Sequence, residues 1–248
     1  MVSVIMPAYN AEPFIEEAIS SVINQTVGDW ELFVIDDGST DRTREIVRTF
    51  ADRDTRVKLV LNERNLGVAK TRNHGFELVS GEYTALIDSD DYWNSLLLEK
   101  MISRAKETDA DIVYCSYELV SENGQKVCKD FIVPPETTFE ESIVRSVITC
   151  SSVLLASRFV KNNRFPTNMY HEDIALWFEA LKNGAVARGV QDVLASYRQR
   201  ENSRSASKLK SAYRRWIIYR KHLKLPLLKS IVVMMKYAYY GILKFKRI

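Results

Sequence analysis

Through the first 120 residues, short apolar and β-branched runs alternate with segments whose apolar positions recur at helical spacing. That alternation predicts βαβ units and a mostly parallel sheet flanked by helices. Residues 2–6 predict a buried first strand, and 31–36, 57–61 and 83–87 predict the next three. Between them, Ile15, Ala18, Ile19, Val22 and Ile23 mark one helix, with Pro13 tolerated near its start. Thr40 or Asp41 caps a second helix running to Phe50, and residues 68–80 form a third. Asn94 or Ser95 then opens a helix to about Thr108, and residues 112–120 read as a strand entering a turn at Ser121-Glu122-Asn123-Gly124. Further on, the pattern predicts a helix over 139–147, a strand over 150–156 and an amphipathic helix over 172–183 ended by Gly184. No internal repeat is visible.

Composition narrows the class. With 46% hydrophobic and 27% charged residues and only 9 Gly and 6 Pro, the 248-residue chain is neither disordered nor low-complexity. Cys115, Cys128 and Cys150 are odd in number and widely spaced, which argues against a disulfide framework and a zinc cluster and fits a reducing compartment. Charge divides the chain more sharply than its total of +3 suggests. Residues 1–197 hold 20 Lys/Arg against 31 Asp/Glu, a net −11, whereas 198–248 hold 15 Lys/Arg against Glu201 alone, a net +14. The two parts are expected to face different partners.

In open α/β sheets, ligands bind beyond the carboxyl ends of the strands. Here those ends carry Pro7-Ala8-Tyr9-Asn10, Asp36-Asp37-Gly38-Ser39 and Asp88-Ser89-Asp90-Asp91. Tyr9 can stack on a nucleobase and Asp37 can accept a base N–H; taken alone, the Asp36–Ser39 segment also reads as a plain capped turn. Asp88 and Asp90 offer hard oxygen ligands for Mg²⁺ or Mn²⁺, whose shell substrate phosphates would complete. The competing reading, a solvated acidic turn, leaves the mutual repulsion of three neighbouring carboxylates unrelieved. Finally, His171-Glu172-Asp173 opens an amphipathic helix, where backbone N–H groups favour an ionised carboxylate fit to act as a base, or simply charge the helix start.

Taken in order, Val2 to Asn10, Asp36 to Asp41, Asn65-Leu66-Gly67 with Arg72-Asn73, and Asp88 to Asp91 together resemble family 2 glycosyltransferases. The likeness is dense over residues 1–110 and thinner to about 200. It implies a GT-A fold over 1–200, with a nucleotide-binding half (1–110) and an acceptor-binding half (111–200). It further implies a nucleotide-sugar donor, with UDP favoured, a divalent Mn²⁺ or Mg²⁺, and inversion at the anomeric carbon. On that likeness Asp173 is the catalytic base and Asp90, with Asp88, the metal ligand. Pro7, Tyr9 and Asp37 hold the uracil side, and the donor-binding set extends to Ala8, Asn10, Glu12, Asp36, Lys70, Arg72, Asp88, Ser89 and Asp90. Arg198 or Arg204 is expected on the diphosphate, and His171 and Glu172 line the acceptor. The implied reaction is glycosyl transfer to a glycan or lipid-linked oligosaccharide in building a capsule, O-antigen or teichuronic-acid-like polymer. A polyprenyl-phosphate monoglycosyl synthase shares the early motifs. A nucleotidyltransferase is disfavoured by the missing glycine- and lysine-rich phosphate loop, and a non-catalytic scaffold by the intact Asp90 and Asp173.

The C-terminal extension, 201–248, reads as two helices. One is basic and amphipathic over 207–224; the other is apolar after Pro226, with Lys229, Lys236 and Lys244 about two turns apart on one face. This pattern suits attachment to an anionic inner-membrane surface, and the alternative is packing on the domain or across a homodimer. A +14 tail also suits nucleic acid, but no recognition motif accompanies it, so no nucleic-acid partner is expected. With no basic leader before residue 2 and the tail's apolar stretch broken by lysines, the expected location is cytoplasmic, peripheral at the cytoplasmic face of the membrane.

Overall fold

A computed structural model describes residues 1–200 and 208–245. The first four strands, β1 (Val2–Ala8), β2 (Trp30–Asp36), β3 (Val57–Leu61) and β4 (Tyr83–Leu86), pair in parallel in the order β3-β2-β1-β4. Their connections are α1 (Ile15–Ile23), α2 (Thr43–Ala51) and α3 (Val68–Leu78). Every residue of β1 and β2 is buried, as strands covered on both faces should be. Val2, Val4 and Met6 face one core with α1, while Ile5 faces a second with α3, following the two-residue period of a strand.

After β5 (Tyr92–Trp93) and α4 (Leu97–Thr108), the sheet continues through β8 (Val153–Ala156), β6 (Ile112–Val120) and β9 (Ala187–Arg198), with β5 at the far edge. Pairing in this half is mixed. β8 runs antiparallel to β4 and β6, β6 and β9 are parallel, and β5 and the short β7 (Glu136–Thr137) lie antiparallel to β9. One sheet therefore spans both halves of the chain. Its second core packs α6 (Ser157–Asn162) and α7 (Glu172–Lys182) around Phe159, Phe165 and Trp177.

Several elements depart from the expected boundaries. The helix expected over 139–147 is regular only at α5 (Phe139–Ser142), where Thr138 and Glu141 form a capping box. Residues 150–152 form a 3₁₀ turn before β8 rather than part of the strand. The basic helix α8 (Lys208–Ile217) loosens into a π-helical turn over Ile218–His222. After it, Lys224 takes a left-handed φ of 53° ahead of α9 (Leu227–Phe245).

The root of this extension belongs to the domain. Ile218, Tyr219, Leu223, Leu225 and Val233 bury against Ile143, Ala175 and Phe178. The Tyr219 hydroxyl donates to the Ile143 carbonyl, Lys182 Nζ to that of Leu223 at 3.0 Å, and Arg215 to Ser146 Oγ at 2.6 Å. Past this root, Leu228, Ile231, Val232, Met235 and Tyr239 are exposed along α9. Among the described residues, no helix is long and apolar enough to cross a membrane.

Candidate active site

Three loops meet where β1, β2 and β4 end. At the end of β1, Pro7 and Ala8 are buried, while Tyr9 just past it is half exposed. Asn10 adopts a left-handed φ of 48°, which a short amide side chain tolerates by bonding locally. Its Oδ1 accepts from Thr40 N at 2.9 Å and its own N–H donates to Ser39 Oγ at 3.0 Å. Glu12 N donates to Asp41, and Glu12 accepts from Arg42 N, so the loop after β1 is latched to the loop after β2.

The two aspartates after β2 have different tasks. Asp36 is fully buried, accepts from Gly38 N and Ser39 N at 3.1 Å each and pairs with Arg44 at 2.6 Å. It closes the turn, with its second carboxylate oxygen, Oδ1, left without a hydrogen-bond partner among the described residues. Asp37 draws in the next loop, accepting from Asn62 Nδ2, Leu66 N and Gly67 N at 2.8 Å each. Gly38 fits between them with φ +84°; a Cβ there would lie 2.9 Å from Asn65 N, so this position requires glycine on both counts.

Past β4 the three carboxylates are held separately. Asp88 accepts from Arg72 Nη2 at 2.6 Å, and its N–H donates to Ser151 Oγ at 3.0 Å. Asp91 is buried, accepting from Ser151 Oγ at 2.5 Å and Arg198 N at 2.8 Å. Burial and the charges of Asp90 and Asp88 push its acidity well below that of an ordinary carboxyl, raising its pKa. Asp90 is the most open to a ligand of the pair Asp90 and Asp91, with 27% of its side chain exposed and Arg200 Nη1 at 3.6 Å. Burial, then the Asp88 charge, raises its pKa as well, and Arg200 only partly offsets this.

Arg72 ties this cluster to α7. Buried at 4% exposure, it gives Nη2 to Asp88 and Nη1 to Glu172 Oε1 at 2.9 Å. Burial works against its charge, but Asp88, Cys150, Glu172 and Asp173 together hold its pKa well above the ordinary guanidinium value. Asp173, partly exposed in the first turn of α7, thus shares one electrostatic neighbourhood with Asp88. Glu172 itself is 4% exposed and paired inward, so it positions the helix rather than lining the acceptor as expected. His171 stands at the N-cap position of α7, its ring edge-on to the Tyr170 ring at 5.7 Å.

Arg198 also departs from expectation. Its guanidinium donates to the carbonyls of Asp90 (2.8 Å) and Glu122 (2.7 Å) and pairs with Glu17, at 5% exposure. It fastens the acidic turn to the 121–124 hairpin and α1, and is not free for a diphosphate. Lys70 is exposed on α3 and Ser89 is partly exposed; Arg204 lies outside the described residues. Ser151, which serves both Asp88 and Asp91, carried no signal in the sequence. Arg200, two residues past Arg198, could have been found from the Arg-x-Arg spacing.

Relieving the repulsion in this turn has a measurable consequence. Asp90→Asn should raise the Tm of the metal-free protein, because burial and the neighbouring Asp88 charge disfavour the ionised Asp90 in the folded state. Thermal unfolding in EDTA checks this, and an unchanged or lower Tm would show that the ionised Asp90 is not strained.

Strands ordered β3-β2-β1-β4, a mixed second half and carboxylates converging on the carboxyl edge define a GT-A glycosyltransferase fold. Solved structures agree. TarS of S. aureus in complex with UDP-GlcNAc matches with a TM-score of 0.74 and 23% identity, over 96% of this chain and 71% of that one. The mannosyltransferase PcManGT of Pyrobaculum calidifontis, in complex with GDP-Man and Mn²⁺, matches with a TM-score of 0.73 and 20% identity, over 96% and 69%. The pattern of glycosyl transferase family 2 matches residues 3–138. TuaG of Bacillus subtilis, which carries the name of a teichuronic acid biosynthesis glycosyltransferase, is 34% identical over 96% of this chain and 94% of its own. WfgD of Escherichia coli, named a UDP-Glc:alpha-D-GlcNAc-diphosphoundecaprenol beta-1,3-glucosyltransferase, is 35% identical over 98% and 94%. The chain belongs to glycosyl transferase family 2.

Proposed function

We propose that this enzyme moves a hexosyl group, with inversion, from a UDP-sugar to a hydroxyl of a glycan or lipid-linked oligosaccharide during surface polysaccharide assembly. The observation that carries the proposal is the Arg72 bridge, which sets the start of α7, with Asp173, against the carboxylates after β4. The name of WfgD, for UDP-Glc and a diphosphoundecaprenol-linked sugar, supports the substrate classes, as does the UDP-GlcNAc held by TarS.

The donor set fits a small hard cation. Asp88 and Asp90 present oxygens at one strand end, and among the described residues no three His, Cys, Asp or Glu side chains converge on one point. An ion there would complete its shell with donor phosphates, the usual arrangement for Mg²⁺ or Mn²⁺. PcManGT, solved with Mn²⁺, is a precedent for this fold. When bound, the ion supplies Lewis-acid neutralisation of the departing diphosphate.

Around it the protein's own groups do the rest. Tyr9 gives the nucleobase a stacking face at the end of β1. Asp173 takes the acceptor hydroxyl's proton as that oxygen bonds to the anomeric carbon. The bond from that carbon to the diphosphate oxygen breaks on the opposite face, its electron pair leaving with the nucleotide diphosphate, so configuration inverts.

The basic extension suits a lipid-borne acceptor. Arg214 of α8 lies over the Tyr170 ring at 3.1 Å, and Tyr170 adjoins the His171 cap of α7, so the basic helix borders the acceptor end of the site. The exposed apolar row of α9 beside Lys236 suits an interfacial helix on an anionic leaflet. A panel of UDP-, GDP- and dTDP-sugars, with Mn²⁺ and with EDTA, tests the reading, with lipid-linked acceptor in anionic or neutral vesicles. Expected is release of UDP from one donor, lost in EDTA and fastest on anionic vesicles. No release from any donor under any of these conditions would overturn it.

A further inference from the structure

We infer that Arg200 is a built-in counter-cation for Asp90, and that the guanidinium and the divalent ion occupy this carboxylate alternately. The inference rests on the proposed assignment of Asp90 as metal ligand.

It starts from how the acidic turn is neutralised. Asp88 is taken by the buried Arg72, in a tight contact of 2.6 Å. Asp91 is sealed by Ser151 and the Arg198 N–H. Asp90 is left with its side chain partly open, and Arg200 is its ion-pair partner. Two arginines therefore grip one residue, Arg198 at the end of β9 and Arg200 two residues past it. Arg198 donates to the Asp90 carbonyl, Arg200 faces the Asp90 carboxylate.

The two grips differ in strength. Arg198 is buried, has three further acceptors in Ser121, Glu122 and Glu17, and lies at the last paired position of β9, opposite Val120. Arg200 is 40% exposed, sits beyond that pairing and meets Asp90 at 3.6 Å, longer than a charge-assisted hydrogen bond. Among the described residues it also lies over the Phe14 ring at 5.3 Å, which can hold a guanidinium once Asp90 is released. A divalent ion held by Asp90 would take the same carboxylate that Arg200 pairs with, and because like charges close together in a partly buried turn repel strongly, the two would exclude each other there. Arg200 thus steadies the acidic turn before loading and lowers the ion's affinity for the empty enzyme.

The test is Mn²⁺ binding without nucleotide, followed by the electron paramagnetic resonance of free Mn²⁺. Arg200→Gln should bind about two- to fivefold tighter than wild type, the range expected of a partly exposed ion pair. Arg200→Lys, which keeps the charge, should stay near wild type, and Asp90→Asn should lose the site. Unchanged or weaker binding by Arg200→Gln, with loss in Asp90→Asn, overturns the exchange and leaves the metal assignment standing. Unchanged binding by Asp90→Asn overturns both. Arg200 is exposed at a strand end, so circular dichroism should report the same fold in each Arg200 variant.

Discussion

Asp173→Asn is expected to slow glycosyl transfer by about 10²–10⁴-fold, the usual contribution of a positioned general base. Binding of the nucleotide diphosphate should change by less than about twofold, because a group acting on the acceptor proton adds little to donor affinity. The amide has the shape of the carboxylate and can accept the same hydrogen bond, but it cannot take the proton. Single-turnover transfer measured beside calorimetric UDP binding separates the two effects. Transfer within tenfold of wild type would remove Asp173 from the chemistry, and the proton would have to leave by another route. Equal losses of transfer and of UDP affinity would instead mean that Asp173 shapes the donor side. The electrostatic coupling of Asp173 to Arg72 makes that second outcome worth measuring.

The elements that place this site are those with the plainest periodicity. β1, β2 and β3 lie where the apolar runs predicted them, and the polar clusters at their ends converge because parallel strands present all their carboxyl ends to one edge. β9 was not legible. Its apolar positions are interrupted by Arg188, Gln191 and Asp192, and its pairing with β6 shifts register around Ser116, so no two-residue alternation survives in the sequence. The strand matters, because its end delivers Arg198, and the segment just past it Arg200, to the acidic turn. A similar limit applies to neighbouring carboxylates. Nothing local decides that Asp36 turns inward while Asp37 gathers the next loop, or that Glu172 is buried while Asp173 is partly open. Those choices belong to Arg44, eight residues on, and Arg72, 100 residues back.

A single side chain therefore joins fold to chemistry, and Arg72→Met should show it. The substitution fills similar volume but removes the buried guanidinium paired with Glu172, and breaking a buried pair from one side typically costs about 3–5 kcal/mol. For a chain of this size that corresponds to a Tm lowered by roughly 6–20 °C. Much of the cost is the burial of the Glu172 charge with its Arg72 partner removed, so Arg72→Met combined with Glu172→Gln should recover much of it. Asp88 is 28% exposed and can be hydrated, so it adds less to the penalty. Activity should respond differently from stability. In the double variant α7 stays packed through Trp177 and Phe178, but the Arg72 bridge no longer ties its first turn to Asp88, so transfer should remain depressed after stability has returned. Lysine would not substitute, since one ammonium lacks the planar fork that reaches Asp88 and Glu172 at once. Denaturant unfolding of the four proteins in the cycle, with transfer measured on each, decides the matter. If Arg72→Met costs less than about 1 kcal/mol, the pair with Glu172 is not what braces α7. If transfer recovers together with stability, Arg72 supports the fold without setting the distance between the acidic turn and the base.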